Sequence, residues 1–481
     1  MRRLFPLLLV APLLAIVLSG CVEDGRTPTG PPTGSGSAYS TQQMATELVQ
    51  KGDWLEEGES LPEEMARAVT MDSQNLVYDF DREVITGNIV HYSATLQTGP
   101  GPYDRIGIHR VVRETRPFRP VRTRKALFML HGDLKRFETM FLPGQYSPNL
   151  PDDFGIAAYL ARHDIDVWGI DQAWNFIPPE ETNFSFFQDW GIQKEADHLS
   201  LAVEVARLSR WMTGNDLDRI LLLGYSSGCV TGYALLNEEA QMPEDERQIK
   251  GYIAADCGVR SDNQDWIDSC LPFVSLFQSI YDSGQYQDPL IFRDVSDRAR
   301  TDPDGASPYI PGLTNLQCAL FFGGGQIWPP TWAHYHAPVM QEGLPVDLQF
   351  VTIDQWLDFL DNTASYEPIL FELECNILLA NMDSPYVSHL SQVTVPVLDI
   401  GGAGGIAPYT AATVGYLGST DITQLYVSVG APEPALDYGH IDIFTGSNSP
   451  QLVWHPIAQW VIHHSQRNRD AMQEEELVGS E

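Results

Sequence analysis

Lysine is nearly missing from this sequence: Lys51, Lys125, Lys135, Lys194 and Lys250 are the only ones in 481 residues. Lysine and arginine together number 29 against 64 aspartates and glutamates, a formal net charge of −35. Nothing here neutralises a row of phosphates, which excludes nucleic acid as a partner. A surface of this sign reads as soluble and self-repelling, and it also suits a salty habitat. Cysteine is scarce too, six in all, and no Cys-x-x-Cys spacing offers zinc a site. The apolar run Leu4 to Leu18 is shorter than the ~20 residues a membrane helix needs. No metal or other cofactor is expected.

What is present starts with that run. Arg2 and Arg3 precede it and Leu18-Ser19-Gly20-Cys21 follows, the layout of a secretory signal. Leu-Ser-Gly-Cys resembles the lipobox of bacterial lipoproteins. The resemblance implies a signal peptide over 1–20, cleavage before Cys21, and diacylglycerol on Cys21. It places the protein in the cell envelope, exported and lipid-anchored, on the outer membrane, in the periplasm or at the surface. The Gly-, Pro-, Ser- and Thr-rich residues 21–40 read as a flexible tether. With Cys21 lipidated, Cys229, Cys257, Cys270, Cys318 and Cys375 remain. Three of them, Cys270, Cys318 and Cys375, fall in one region, where an exported protein is expected to hold a disulfide of unread pairing.

Residues 41–53 and 61–69 look weakly helical. Residues 87–98 and 104–113 alternate apolar and polar side chains around Gly99-Pro100-Gly101-Pro102, a hairpin signal. Short apolar strands at 125–130, 165–171, 218–224 and 250–256 then alternate with helical patterns at 153–162, 194–212 and 231–236. This rhythm predicts an α/β protein with a mostly parallel sheet flanked by helices. From Cys257 to about 390 the rhythm stops in an aromatic stretch of ~130 residues, too long for a loop. It is expected to be a mostly helical cap between the sixth and seventh strands, with 41–256 and 391–481 forming the core. Gly323-Gly324-Gly325 inside it reads as a turn rather than a hinge. Strands at 394–400 and 421–429 and a helix at 450–464 close the pattern.

The segment Gly224-Tyr225-Ser226-Ser227-Gly228 ends an apolar strand and precedes a helix. Gly-x-Ser-x-Gly in that setting is a nucleophile elbow, a sharp turn that lifts Ser226 above the sheet. Gly224 and Gly228 leave room for the turn. A nucleophilic serine needs a base, and His440 is the histidine after the last strand, with Gly439 letting its loop approach. The oxyanion hole is expected from the N–H of Ser227 and one after His131-Gly132, either Asp133 or Leu134. His334-x-His336 is a weak metal signal and is set aside.

These residues resemble the α/β-hydrolase lipases of the gastric and lysosomal acid type. The likeness runs through Leu130-His131-Gly132, residues 150–169, residues 183–197, the elbow, and Gly439-His440-Ile441-Asp442-Ile443-Phe444-Thr445-Gly446. It implies the α/β-hydrolase fold, a serine nucleophile, a histidine base and ester hydrolysis. Two positions depart. The residue before the serine is Tyr225 rather than histidine. The acid expected in a Gly-Gly-x-x-Asp context is replaced by Gly401-Gly402-Ala403-Gly404-Gly405, with no carboxylate. Asp256, ending the strand after the elbow strand, is the chosen substitute; Asp399 and Asp437 stand behind it. The expectation is a lipase- or esterase-like serine hydrolase for a small ester or lipid, its aromatic cap suiting an apolar group. The alternative is a catalytically weakened relative that binds a ligand or partner at the envelope. A peptidase or amidase would use the same residues.

Overall fold

The computed structural model describes residues 77–465 except Trp328. The lipobox with Cys21, the tether, both weakly helical segments and the acidic tail lie outside the described residues. No helix among those described is long and apolar enough to cross a membrane.

The sheet is built from nine main strands: β1 Val77–Thr86, β2 Ile89–Gln97, β3 Arg105–Arg116, β4 Ala126–Leu130, β5 Asp166–Asp171, β6 Ile220–Tyr225, β7 Ile249–Ala255, β8 Val397–Gly402 and β9 Ile422–Val427. They lie in the order β1-β2-β3-β5-β4-β6-β7-β8-β9, and the two-residue strand Arg119–Pro120 pairs with β3 as a tenth. β1, β2 and β3 are antiparallel, β3 meets β5 antiparallel, and every later pair is parallel. The expected hairpin forms with Ile89 opposite Arg113 and Gln97 opposite Arg105. β1 was not anticipated. Tyr78-Asp79-Phe80-Asp81 alternates, but Arg82-Glu83 and Val84-Ile85 then break the period, and the register slips between Tyr78 and Asp81. The elbow strand is therefore sixth, and residues 257–390 fall between the seventh and eighth strands rather than the sixth and seventh.

Parallel strands buried on both faces read as continuous apolar runs, and β4 and β6 do so. Side chains alternate between two cores. Phe128 and Leu222 face one with Leu199 and Val203, and Leu127, Leu221 and Leu223 face the other with Ile156, Leu160 and Val461. Helices cover both faces: α2 Ile156–Arg162, after the short α1 Phe137–Phe141; α3 Ile192–Met212; α4 Ser227–Glu239; and the closing helix over 455–465.

Residues 257–390 carry α5 Gln264–Asp282, α6 Phe292–Thr301, α7 Asn315–Gly324, α8 Ile353–Asp361 and α9 Ile369–Leu379. Two short strand pairs lie among them: Gln287–Pro289 with Tyr366–Pro368, and Pro338–Gln341 with Leu344–Leu348. Capping boxes at Thr314/Gln317 and Thr352/Gln355 start α7 and α8, each satisfying orphan N–H groups at both ends of the box. The triple glycine is no free turn: Gly323 and Gly324 end α7 and Gly325 is its C-cap.

The disulfide expectation is overturned. Cys229, Cys257, Cys270, Cys318 and Cys375 are all free and buried. Cys229, Cys257, Cys270 and Cys375 pack in the main core as small apolar side chains.

Candidate active site

Ser226 stands between β6 and α4 at φ 59°, ψ −131°. A non-glycine residue there is strained by roughly 1–3 kcal/mol, which the surrounding packing must hold. A side chain at Gly228 would come 2.5 Å from the His131 carbonyl, and one at Gly224 would overlap the Gly228 carbonyl. The glycines therefore let helix α4 seat against the loop after β4. That loop touches the serine directly, since a Cβ on Gly132 would overlap Ser226 Cβ.

His440 Nε2 lies 2.9 Å from Ser226 Oγ, and His440 Nδ1 lies 2.6 Å from Asp256 Oδ2. A carboxylate only accepts, so Nδ1 carries the hydrogen and Nε2 accepts from the serine hydroxyl. Burial pulls the His440 pKa below its ordinary 6.5, partly offset by Asp256. The imidazole thus rests neutral at pH 7, the form able to take a proton.

Asp256 directly follows β7 with φ 55° and accepts from three backbone N–H groups as well as from His440. Oδ1 takes Gly402 N at 3.0 Å and Ala407 N at 3.1 Å, and Oδ2 takes Ile406 N at 3.1 Å. The glycines that seemed to leave the site without an acid have a physical explanation. A Cβ on Gly401 or Gly405 would overlap the Asp256 carboxylate. The carboxylate reaches in from the neighbouring strand and fills that space. The two rival acids sit elsewhere. Asp437 accepts from Val429 N at 2.8 Å and Tyr438 N at 2.7 Å, fixing its own loop. Asp399 bonds Tyr426 and Gln424, and burial raises its pKa to about 6.

The loop bearing His440 is anchored from three sides. His440 N donates to His334 O and Ile441 N to Tyr335 O, both at 2.8 Å. Asp442 accepts from Gly439 N at 2.9 Å and Ala337 N at 2.8 Å. Gly439 makes room for Tyr335 rather than for Ser226: a Cβ there would sit 2.5 Å from the Tyr335 carbonyl. The third anchor is Tyr225, where the resemblance expects histidine. Its hydroxyl donates to His440 O at 3.1 Å, and its ring stacks on the imidazole at 4.8 Å. The sequence names Tyr225 as a departure without revealing this role. The His334-x-His336 pair divides between unrelated partners. His334 bonds Trp332 O and Asp437 O, and His336 bonds Asp442.

Ser227 opens α4, so its N–H belongs to the first turn, whose donors have no partner within the helix. Across from it, Leu134 N donates to Glu367 Oε1. That N–H is occupied, which leaves Asp133 as the open choice on this loop. His131 is a strut for the loop. Its Nδ1 bonds Gly132 O at 2.8 Å, and burial pushes its pKa down to about 4.

No protein-family model matches the sequence, and no curated protein does. Solved structures do match. A candidate lipase from Sulfolobus solfataricus is 18% identical, with 80% of this chain and 99% of that one aligned at a TM-score of 0.52. A monoacylglycerol lipase from Paleococcus ferrophilus is 11% identical over 72% and 96% of the two chains, TM-score 0.40. A haloalkane dehalogenase variant from Bradyrhizobium elkanii is 12% identical over 79% and 99%, TM-score 0.37. The chain has the α/β-hydrolase fold. A fold hosts many chemistries, so activity is argued from the site.

Proposed function

We propose that this protein is a serine hydrolase of carboxylic esters, lipase- or esterase-like and kin to the acid lipase type, exported and anchored by lipid on Cys21. The observation that supports the chemistry is the single hydrogen-bonded line Ser226 Oγ, His440 Nε2, His440 Nδ1, Asp256 Oδ2. Ser226 Oγ attacks the ester carbonyl carbon while its proton passes to His440 Nε2. The carbonyl oxygen becomes an oxyanion facing the N–H groups of Ser227 and Asp133. Collapse breaks the bond to the alcohol, which leaves with the proton from His440. Water repeats the path on the acyl-enzyme and releases the acid and free Ser226. Asp256 holds the imidazole in the required tautomer and stabilises its charged form. In this reading residues 257–390 are a cap over the 41–256 and 391–481 core.

A fluorophosphonate probe with hydrolysis of p-nitrophenyl butyrate tests the activity. Labelling of wild type and its loss in Ser226→Ala are expected. Absence of both labelling and turnover in wild type, beside a reactive control hydrolase, would sink the reading. For the anchor, Cys21→Ser should move the protein from the detergent to the aqueous phase.

A further inference from the structure

Beside the nucleophile lies a second ionisable cluster that the reaction above leaves unused. Asp133, Glu367 and Glu372 each place a carboxylate oxygen within 4.8 Å of the other two. Asp133 belongs to the oxyanion loop, Glu367 to the strand Tyr366–Pro368 and Glu372 to the first turn of α9. Lys135, 1% exposed, is the cation nearest them. Its Nζ donates to Asp133 O at 2.8 Å and lies 5.2 Å from the Tyr225 ring centre and 6.0 Å from that of Tyr335.

The charges do not balance. One ammonium meets three carboxyls, and Asp288 adds its field to the two glutamates. The hydrogen bonds do not balance either. Glu367 serves Leu134 N, but Asp133 Oδ1 and Glu372 Oε1 are buried atoms without a hydrogen-bond partner. The Ser227 hydroxyl, on a residue 6% exposed, faces the Asp133 carboxyl without hydrogen-bond geometry, and its Oγ has no other partner. Burial drives Lys135 down to about 8 and holds both glutamic acids well above their usual range. Those shifts favour protonated glutamic acids, whose protons an incoming cation would displace.

We propose that this cluster is a subsite for a cationic group of the substrate, an ammonium or quaternary ammonium held next to the scissile carbonyl. The inference rests on the serine hydrolase reading and narrows its substrate. An ammonium suits the site because a few oxygen acceptors satisfy it, and Asp133 Oδ1 and Glu372 Oε1 stand without a partner. A hard divalent metal wants six or more oxygens, whereas three carboxylates meet here beside the resident Lys135 ammonium.

The test uses the full chain and pairs of esters differing only by nitrogen for carbon. One pair is a choline ester and its 3,3-dimethylbutyl counterpart; the other carries the same change on the acyl side. At least one pair should favour the cation by about tenfold in kcat/KM. Glu372→Gln should bring that ratio to about one, whereas a purely structural role would scale both members alike. Calorimetry with tetramethylammonium in two buffers of different ionisation enthalpy should show binding with proton release, lost in Glu372→Gln. Hydrolysis of the neutral esters with no preference in either pair, and no ammonium binding, overturns the subsite while the hydrolase stands. If neither esters nor the fluorophosphonate react, the hydrolase reading fails and calorimetry alone decides the subsite. Calcium binding lost in Glu372→Gln, with no ammonium binding, overturns the organic cation.

Discussion

Replacing Asp256 by asparagine tests the acid assignment most directly, and the structure sets the expected size. Oδ1 receives two backbone N–H groups, while Oδ2 receives one and the imidazole. The asparagine carbonyl is best placed at Oδ1, where two donors already point. Its NH₂ then occupies the Oδ2 position, facing His440 Nδ1 and Ile406 N. An amide donor there forces Nδ1 to accept, so the hydrogen moves to Nε2. In that tautomer the imidazole cannot take the proton of Ser226. The loss is then on the order of 10⁴-fold in kcat, or ~5.5 kcal/mol of barrier. The unpaired Ile406 N–H costs stability as well, roughly 1–3 kcal/mol. The assay is kcat/KM on p-nitrophenyl butyrate, with circular dichroism and thermal unfolding as controls. A loss under tenfold in a folded variant would refute the assignment and return Asp437 to consideration.

Three other outcomes are expected. Gly405 lacks a left-handed φ and sits where an acid would meet the carboxylate of Asp256; Asp256→Ser with Gly405→Asp should recover at least about tenfold over Asp256→Ser alone, measured by ester turnover. Because burial lowers the His440 pKa and the neutral imidazole is the active form, the acid limb of the kcat/KM–pH profile should fall below 6.5; a limb at or above that value contradicts the resting state described. The five described thiols should ignore Ellman's reagent in the native protein and all react on unfolding, because burial raises each one, Cys270 to about 12.

The sequence made the fold legible where physics is local. Runs such as Leu221-Leu222-Leu223 announce buried strands, and Gly-Tyr-Ser-Ser-Gly announces a turn only glycines permit. β1 escaped because Arg82-Glu83 and Val84-Ile85 set like residues side by side and interrupt its alternation. The cysteines misled because three thiols in one stretch of chain say nothing about whether their side chains face each other. Gly401 and Gly405 were the most instructive residues. On the page they look like a loss, since an empty position and a position kept clear for a neighbour are both written Gly. Only the pairing of β7 with β8, through Asp256 N and Ile400 O, separates the two meanings. The same limit hid the cluster around Lys135, which joins residues more than 230 positions apart.

The placement of the acid also bears on how the protein could be re-engineered. Asp256 is the last residue before the chain leaves the sheet for 257–390, whereas an acid at Gly405 would follow its return. The segment 257–390 thus follows directly on the proposed acid. Exchanging or trimming it at residue 257 would disturb the φ of 55° that aims the carboxylate. A graft meant to change substrate choice must start several residues downstream, or first move the acid across to β8.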